Sequence, residues 1–471
     1  MKIGLLFLLF LILLIQTNAF SQNNLKELDN LLNDAYKLDL FSGVVLVADK
    51  ENVQFLKTFG YADWENQTKN LTDTKFNIGS IGKLFTQILI AQLIQEGKLN
   101  LTDNLKLLYP LYNNEYDEKI TIKHLLGFSA GLGDYFMIEE FEMHPDNYRS
   151  VDALLSIIKK QPLLYEPGTS REYSNSSYVV LGGIIEKLTG KTYQENLKER
   201  ILNPLAMNNS GFIYKDTKST SAAKGFIINP DGTKESTYER MPNVPTPAGG
   251  MFSTAEDLLK LDRSLMNDNV LLNDEHKVLL LNRFNTDIKI SFAELLAKPD
   301  FGMGVAGGSP GWNAVYDQNV GNKYTVIILS NFDFGAEVLI DRINSVLKEE
   351  KYPQLKMSAG RFVYEKIKEK GAEDFSANYK EYLSDYPIED DGMLNRIGYQ
   401  FLNKGMMDEA IAVFIINTKY FPDIANTYDS LGEAYMLKGE KKLALENYKK
   451  SLELNPNNKN AEMKINELKE E

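Results

Sequence analysis

Apolar positions run along this chain in three rhythms. The first is an apolar block, Ile3 to Ile15, set behind Lys2 and ahead of polar Gln16-Thr17-Asn18 and small Ala19. Its thirteen residues fall short of a bilayer span, and the order basic, apolar, small is that of a secretory signal. Residues 1–21 are therefore predicted to be a signal peptide, cleaved after Ala19 or Ser21. An uncleaved N-terminal anchor is the alternative, and both export the bulk of the protein. No later stretch approaches ~18 consecutive apolar residues, so no stable transmembrane span is predicted in the mature chain. The second rhythm belongs to strands. Ser42-Gly43-Val44-Val45-Leu46-Val47-Ala48 reads as a buried strand, and Val53–Phe59 as its hairpin partner. Tyr324–Ser330 reads as another strand, and 336–347 as a helix that can pack on such a sheet. Strands at both ends with helical stretches between them predict one sheet assembled from the two chain ends.

The third rhythm begins near residue 360, where nearly all residues are helix formers. Ile397-Gly398 recurs as Leu431-Gly432, Phe401 as Tyr435, Gly405 as Gly439 and Ala410 as Ala444, all at one constant offset. Phe414 recurs as Tyr448 and Pro422 as Pro456 at the same offset. That period of ~34 residues, with small residues where two helices touch and proline closing the second, resembles the tetratricopeptide repeat. The predicted boundaries are 24–350 for the first domain and 360–471 for an all-α repeat domain. Repeats lie at about 392–425 and 426–459, with a degenerate one at about 361–387 and a capping helix at 460–470. The resemblance implies a groove for a protein or peptide partner; a spacer, or a support for the first domain, is the alternative.

Composition then narrows the chemistry. A chain of 471 residues exceeds one ordinary domain, and 43% hydrophobic with 25% charged residues is globular composition. Lys plus Arg is 52 against 65 for Asp plus Glu, a net charge of −13 with no basic cluster. That balance excludes nucleic acid as a partner, because phosphate binding needs concentrated positive charge. The absence of cysteine excludes disulfides, thiol catalysis and Cys-ligated zinc. With only His124, His144 and His276, a His-rich metal site is not expected, and each histidine reads as structural. No metal or cofactor is expected.

Three elements in the first domain carry candidate chemistry. Ser80-Ile81-Gly82-Lys83 is an S-x-x-K tetrad at the head of a helix, 84–95, that is apolar on nearly all faces and closed by Gly97. Residues at i and i+3 share a face, which sets the Lys83 amine beside the Ser80 hydroxyl. A buried amine loses its proton more readily than a solvated one, and the helix N-terminus favours a developing oxyanion. The same tetrad at Ser156, Ser221 and Ser345 has no such setting and reads as solvated helix face. Tyr173-Ser174-Asn175 precedes a helix over 177–188, and its spacing points Tyr173 and Asn175 the same way. A phenol there can relay a proton, and the amide can hold either a substrate carbonyl or the Lys83 side chain. The third element is the glycine-rich run from Gly302 to Gly311, which lets backbone approach a ligand closely.

Residues 40–350 resemble the serine β-lactamase/penicillin-recognising family, in its class C-like branch of esterases, D-peptidases and β-lactamases. The likeness rests on the tetrad with Thr74-Lys75-Phe76-Asn77-Ile78-Gly79 before it, on Glu96-Gly97-Lys98-Leu99-Asn100-Leu101-Thr102-Asp103 and on Ile122-Lys123-His124-Leu125-Leu126. It continues through the segment from Pro167 to Asn175, Pro247-Ala248-Gly249-Gly250-Met251-Phe252-Ser253-Thr254, and Leu329-Ser330-Asn331. The resemblance implies an α+β, β-lactamase/transpeptidase-like domain: an antiparallel sheet flanked by helices, plus an all-helical lobe, with the site between them. It implies Ser80 as acylated nucleophile, Lys83 as its base partner, Tyr173 as second acid/base and Asn175 as substrate ligand. It also implies an oxyanion hole from the backbone N–H groups of Ser80 and Gly308. One departure stands out. The family's third motif begins with Lys or His, and here it reads Val305-Ala306-Gly307. Valine cannot bind a substrate carboxylate, so an ester or neutral amide is favoured over a β-lactam or D-alanyl peptide.

Two other motifs are set aside. Gly127-Phe128-Ser129-Ala130-Gly131 fits the lipase elbow, but a helix-like segment precedes it where a strand is required. Gly302 to Gly307 fits G-x-G-x-x-G, but Pro310-Gly311 forbids the helix that a dinucleotide site needs. The sequence thus reads as an exported, periplasmic or secreted, serine hydrolase acting on a small ester, amide or peptide-like substrate. The alternatives are D-Ala-D-Ala carboxypeptidase or β-lactamase activity, or a catalytically weak member that binds a partner through its repeats.

Overall fold

The computed structural model describes residues 22–112, 114–214, 221–237, 246–299, 301–319 and 324–470. The predicted signal segment, 1–21, lies outside them. The chain divides into two compact units: the described residues of Met1–Ile227 with Ser236–Leu355, and those of Ile228–Glu235 with Lys356–Glu471.

The first unit is built on a five-stranded sheet. Its strands are β1 (Gly43–Ala48), β2 (Val53–Phe59), β3 (Gly302–Ser309), β4 (Trp312–Asn319) and β5 (Tyr324–Ser330). Their order is β2-β1-β5-β4-β3, and every neighbouring pair is antiparallel. The two chain ends therefore meet at β1 and β5, where Gly43 pairs with Ser330 and Ala48 with Thr325. All of β1 is buried, because both sheet faces are covered. Val45 and Val47 face α1 (Gln22–Lys37), whose Leu28, Leu31 and Leu32 share a core with Leu339 and Ile343 from near the C-terminal end of this unit. Val44, Leu46 and Ala48 face the larger core, filled from the segment between β2 and β3.

At the centre of that larger core is α2 (Gly82–Gln95), preceded by a 3₁₀ turn, Gly79–Ile81. Eleven of its fourteen residues are buried, as an apolar helix with no polar face requires. Beside it lies α3 (Asn175–Thr189), capped by the Ser174 hydroxyl on the Ser177 N–H and closed by left-handed Gly190. Next, α4 (Ala255–Asn267) packs its Leu258, Leu261 and Leu265 on the sheet side, and α5 (Glu337–Leu347) closes the opposite face. The glycine-rich run from Gly302 to Ser309 forms strand β3. With no helix after it, the dinucleotide reading falls away.

The second unit is all helix over its C-terminal part. Helices α6 (Ala359–Lys370) and α7 (Ala372–Tyr382) precede α8 (Asp391–Asn403), α9 (Met407–Tyr420), α10 (Ala425–Lys438), α11 (Lys441–Leu454) and α12 (Lys459–Glu470). The starts of α8, α10 and α12 fall one repeat period apart, as do those of α9 and α11. Gly398 and Gly432 set the spacing: a Cβ at either would fall 2.4 Å from the Phe414 ring or 3.1 Å from the Tyr448 ring.

Candidate active site

Ser80 stands in the 3₁₀ turn at the head of α2, so its hydroxyl and backbone N–H face out of the helix end. Lys83 sits one turn on, and its side chain is 5% exposed. The Lys83 Nζ donates to Ser80 Oγ at 3.0 Å, to Asn175 Oδ1 at 2.6 Å and to the Ala248 carbonyl at 2.6 Å. Tyr173, far along the chain from Ser80, brings its hydroxyl to 2.7 Å from Ser80 Oγ. Its ring lies 4.9 Å from the Lys83 ammonium and 4.9 Å from the Phe128 ring. Serine, lysine and tyrosine thus meet in one cleft.

Burial pulls the Lys83 amine down to about 7, against a smaller upward pull from the Asp134 carboxylate. At neutral pH the neutral amine is therefore well populated, with its lone pair free to take the Ser80 proton. Burial holds the Tyr173 phenol above its ordinary value, partly offset by the Ser80 hydrogen bond, and Asp134 adds to the rise. Tyr173 is thus a phenol at neutral pH, able to donate to Ser80 Oγ.

The sequence left Asn175 two roles, and the geometry occupies it with one. Its Oδ1 accepts from Lys83, while its Nδ2 donates to Asp134 Oδ2 at 2.7 Å. One Nδ2 hydrogen remains for a substrate. Asp134 also accepts from the Asn175 N–H at 3.3 Å, and its Oδ1 caps the turn Tyr135–Met137 through the Phe136 N–H at 3.1 Å. Asp134 and the Ala248 carbonyl are the two site groups that reading the sequence misses. Nothing local in Gly131-Leu132-Gly133-Asp134 points to an asparagine so far along the chain. Ala248 offers only a backbone oxygen, placed by a loop whose neighbouring Pro247 carbonyl accepts from Thr86 on α2 at 2.6 Å.

Strand β3 runs past Ser80 at backbone distance. A Cβ on Gly307 would lie 2.0 Å from the Ile78 carbonyl and 2.7 Å from the Ser80 nitrogen. Gly79 is left-handed, at φ +49°, and its Cβ would lie 2.6 Å from the Gly308 nitrogen. Only glycine at both places lets the strand and the turn approach so closely. The N–H groups of Ser80 and Gly308 are consequently neighbours on one wall. Val305, where the family carries a cation, is half-buried against the main core, and Ala306 is exposed. A cavity of about 280 Å³ opens over Ser80, lined also by Tyr173, Asn175, Phe136, Ile213, Gly308 and Ser309. None of its described lining residues is Lys, Arg or His.

The competing motifs have ordinary structural roles. Ser156 and Ser345 donate to carbonyls of their own helices. Helix Ile122–Leu126 leads into Gly127-Phe128-Ser129, so the lipase elbow is absent there. His124 completes a capping box with Thr121, and His276 lies against Asn273 at the start of its own helix.

This fold, with its cleft at the sheet edge and a helical lobe beside it, is that of a β-lactamase-like serine hydrolase. The sequence profile of the beta-lactamase family matches residues 28–348, and the chain belongs to that family. The tetratricopeptide-repeat profile matches residues 425–458. A relative, the teichoic acid D-alanine hydrolase of Staphylococcus aureus, is 28% identical over 345 residues, covering 70% of this chain and 82% of its own. The crystal structure of a penicillin binding protein from Bacillus halodurans superposes with a TM-score of 0.58 at 25% identity, over 67% of this chain and 99% of that one. A D-amino acid amidase from Ochrobactrum anthropi shares the fold, with a TM-score of 0.58 at 21% identity over 70% of this chain and 99% of its own. No helix among the described residues is long and apolar enough to cross a membrane.

Proposed function

We propose that this chain is an exported hydrolase that cleaves a carboxylic ester or small amide through an acyl-enzyme on Ser80. Its hydrolase domain spans 24–350 and its repeat domain 360–471. The observation that carries the reading is the contact of Ser80 Oγ with both Lys83 Nζ and Tyr173 OH, at 3.0 and 2.7 Å. Neutral Lys83 takes the Ser80 proton as Oγ bonds to the carbonyl carbon, and the carbonyl oxygen becomes an oxyanion held by the Ser80 and Gly308 N–H groups. Tyr173 then donates its proton to the leaving oxygen or nitrogen and regains one from Lys83. The alcohol or amine departs, leaving the acyl group on Ser80. Water adds to that ester, giving its proton to the same network, and the acid leaves as the Ser80 hydroxyl reforms.

The lining of the cleft supports this substrate class. With no cation at Val305 and none among the described lining residues, those residues offer a carboxylate-bearing substrate no counter-ion, whereas an ester carbonyl needs only the oxyanion donors. The relative named as a teichoic acid D-alanine hydrolase makes a D-alanyl ester the first natural-type substrate to assay. Intact-mass labelling tests the reading. A fluorophosphonate should add to the wild type and not to Ser80→Ala. An activated ester should acylate it, and penicillin should not. No adduct on the wild type would leave a hydrolase fold serving as a binding protein. A penicillin adduct would restore the β-lactam and D-alanyl peptide alternatives.

A further inference from the structure

On α2, an otherwise apolar helix, the buried polar side chains are Lys83, Thr86 and Gln92. Lys83 and Thr86 are three residues apart and share a face. That face meets a closed turn, 246–249. The Thr246 N–H donates to the Gly249 carbonyl at 2.9 Å, and the Gly249 N–H to the Thr246 carbonyl at 3.0 Å. Both inner carbonyls of the turn address α2. Ala248 accepts from Lys83 Nζ and Pro247 from Thr86 Oγ1, each at 2.6 Å. The turn is also seated on α3, where a Cβ at Gly182 would fall 2.2 Å from Pro247 Cγ.

Counting protons fixes the direction of the bonds at Thr86. A hydroxyl has one hydrogen and a carbonyl only accepts, so the Thr86 hydrogen goes to Pro247. Tyr193 Oη, 2.6 Å from Thr86 Oγ1, is therefore the donor to it. Tyr193 opens the short helix Tyr193–Leu197, and its backbone N–H donates to Glu186 of α3 at 2.7 Å. Thr86 and Tyr193 are both buried. A threonine within a helix can return its hydroxyl to a carbonyl one turn back. Thr86 gives its own to another segment, the one whose next carbonyl grips the amine. A buried hydrogen-bonded chain with every member satisfied fixes the position of what it holds.

We propose that Thr86 and Tyr193 are positioning residues for Lys83: the chain from Tyr193 through Thr86 to the Pro247 carbonyl holds the turn where the Ala248 carbonyl meets the amine. The role rests on the reading of Lys83 as the base that takes the Ser80 proton. Asp134, Tyr173 and Tyr178 are the charged or titratable groups that also face the amine, whereas the hydrogen bonds of Thr86 go to Pro247 and Tyr193. Thr86→Val keeps the side-chain shape and removes the donor. With the turn released, the ammonium loses an acceptor while staying buried. The acid limb in the pH dependence of fluorophosphonate labelling should then move down by about one unit. Tyr193→Phe keeps the bond from Thr86 to Pro247 and should move the limb the same way, by less. Thr86→Ser keeps the hydroxyl and should hold the limb at its wild-type position. A second readout needs no reaction at Ser80: the difference in urea stability between wild type and Lys83→Met should change more steeply from pH 6 to pH 9.5 when Thr86→Val is present in both. Should Thr86→Val fail to fold, Tyr193→Phe decides by both readouts. Lowered melting temperatures with an unmoved limb and an unchanged stability slope would mean a merely structural role and overturn the proposal, as would a limb that Thr86→Ser moves as far as Thr86→Val. No labelling of the wild type, together with the steeper slope, would sink the reading of Ser80 and uphold the positioning of Lys83.

Discussion

Replacing Lys83 by methionine measures what the buried amine costs the fold. The amine sits at about 7 in the folded protein, against an ordinary 10.5. Each unit is ~1.4 kcal/mol, so at pH 6 the folded state bears about 5 kcal/mol of charge burial. Below pH 7 the amine is protonated in both states and that burden is complete. Between about 7 and 10.5 the folded protein releases the proton while the unfolded chain keeps it, so stability rises with pH across this window. Above 10.5 the burden is gone. Methionine matches the length and apolar volume of lysine and carries no charge. It strands the Asn175 and Ala248 oxygens at roughly 1–3 kcal/mol each, but that loss does not depend on pH.

The stability of Lys83→Met relative to wild type should therefore fall by about 3 kcal/mol between pH 6 and pH 9.5. Urea unfolding followed by tryptophan fluorescence reads this directly. Both tryptophans, Trp64 and Trp312, lie in the hydrolase unit, so the signal reports that unit alone. In the wild type, kcat/KM on an ester should rise through about pH 7 as Lys83 loses its proton. A variant-minus-wild-type difference that stays constant from pH 6 to 9.5 would show that Lys83 is not shifted, and the proposed base would lose its physical support.

Groups around the site and beneath it give three more tests. Asp134→Asn removes the negative charge that holds the Lys83 amine up, so the acid limb of the pH–rate profile should move below its wild-type position and kcat should fall; an unmoved limb refutes the coupling. Gly307→Ala should lower kcat by about a hundredfold or more while the protein stays folded by circular dichroism, since the new methyl falls against the Ser80 nitrogen. Full activity would mean the strand does not supply the oxyanion donor. Asp262, buried and bonded by Tyr316 at 2.8 Å and Thr325 at 2.9 Å, is pushed up to about 6 by desolvation. The folded state keeps its proton between about 4 and 6, so stability falls as pH rises through that window and stays lower above it. Asp262→Asn should then stabilise the hydrolase unit by up to roughly 3 kcal/mol at pH 7.5 and by nothing at pH 3, read by urea unfolding.

What could be read from the sequence divides along the range of the interactions. The pairing of Ser80 with Lys83 is a single-turn helical spacing, and the apolar run after it announces a buried helix. β1 and β5 are legible because strands buried on both faces lack polar alternation. The repeat period is legible because each repeat meets only its neighbours. The rest depends on long-range packing. Tyr173 reaches Ser80 only because α3 lies beside α2, and the family likeness, rather than any local pattern, brought the two motifs together. Asp134 and the Ala248 carbonyl belong to loops, and their role is set wholly by what the fold places opposite them. The glycine run pairs along its whole length with β4 as an edge strand, and that pairing sets Gly307 and Gly308 against the turn that carries Ser80.

Asn175 shows how such a distant group decides local chemistry. An amide can face Lys83 with its oxygen or its nitrogen, and its sequence position does not choose. Asp134 takes the Nδ2 hydrogen, which leaves Oδ1 for the amine. With the Ala248 carbonyl and Ser80 Oγ, this gives Lys83 three acceptors, the number a protonated amine requires. When the amine is neutral, two hydrogens stay on Asn175 and Ala248, and the lone pair can turn only to Ser80. The same cage accommodates both protonation states without moving a heavy atom. A base that must take a proton and return it in every turnover needs that property, and turning the amide over would remove it: Nδ2 hydrogens facing Lys83 would repel the ammonium and trap the neutral amine as an acceptor from asparagine.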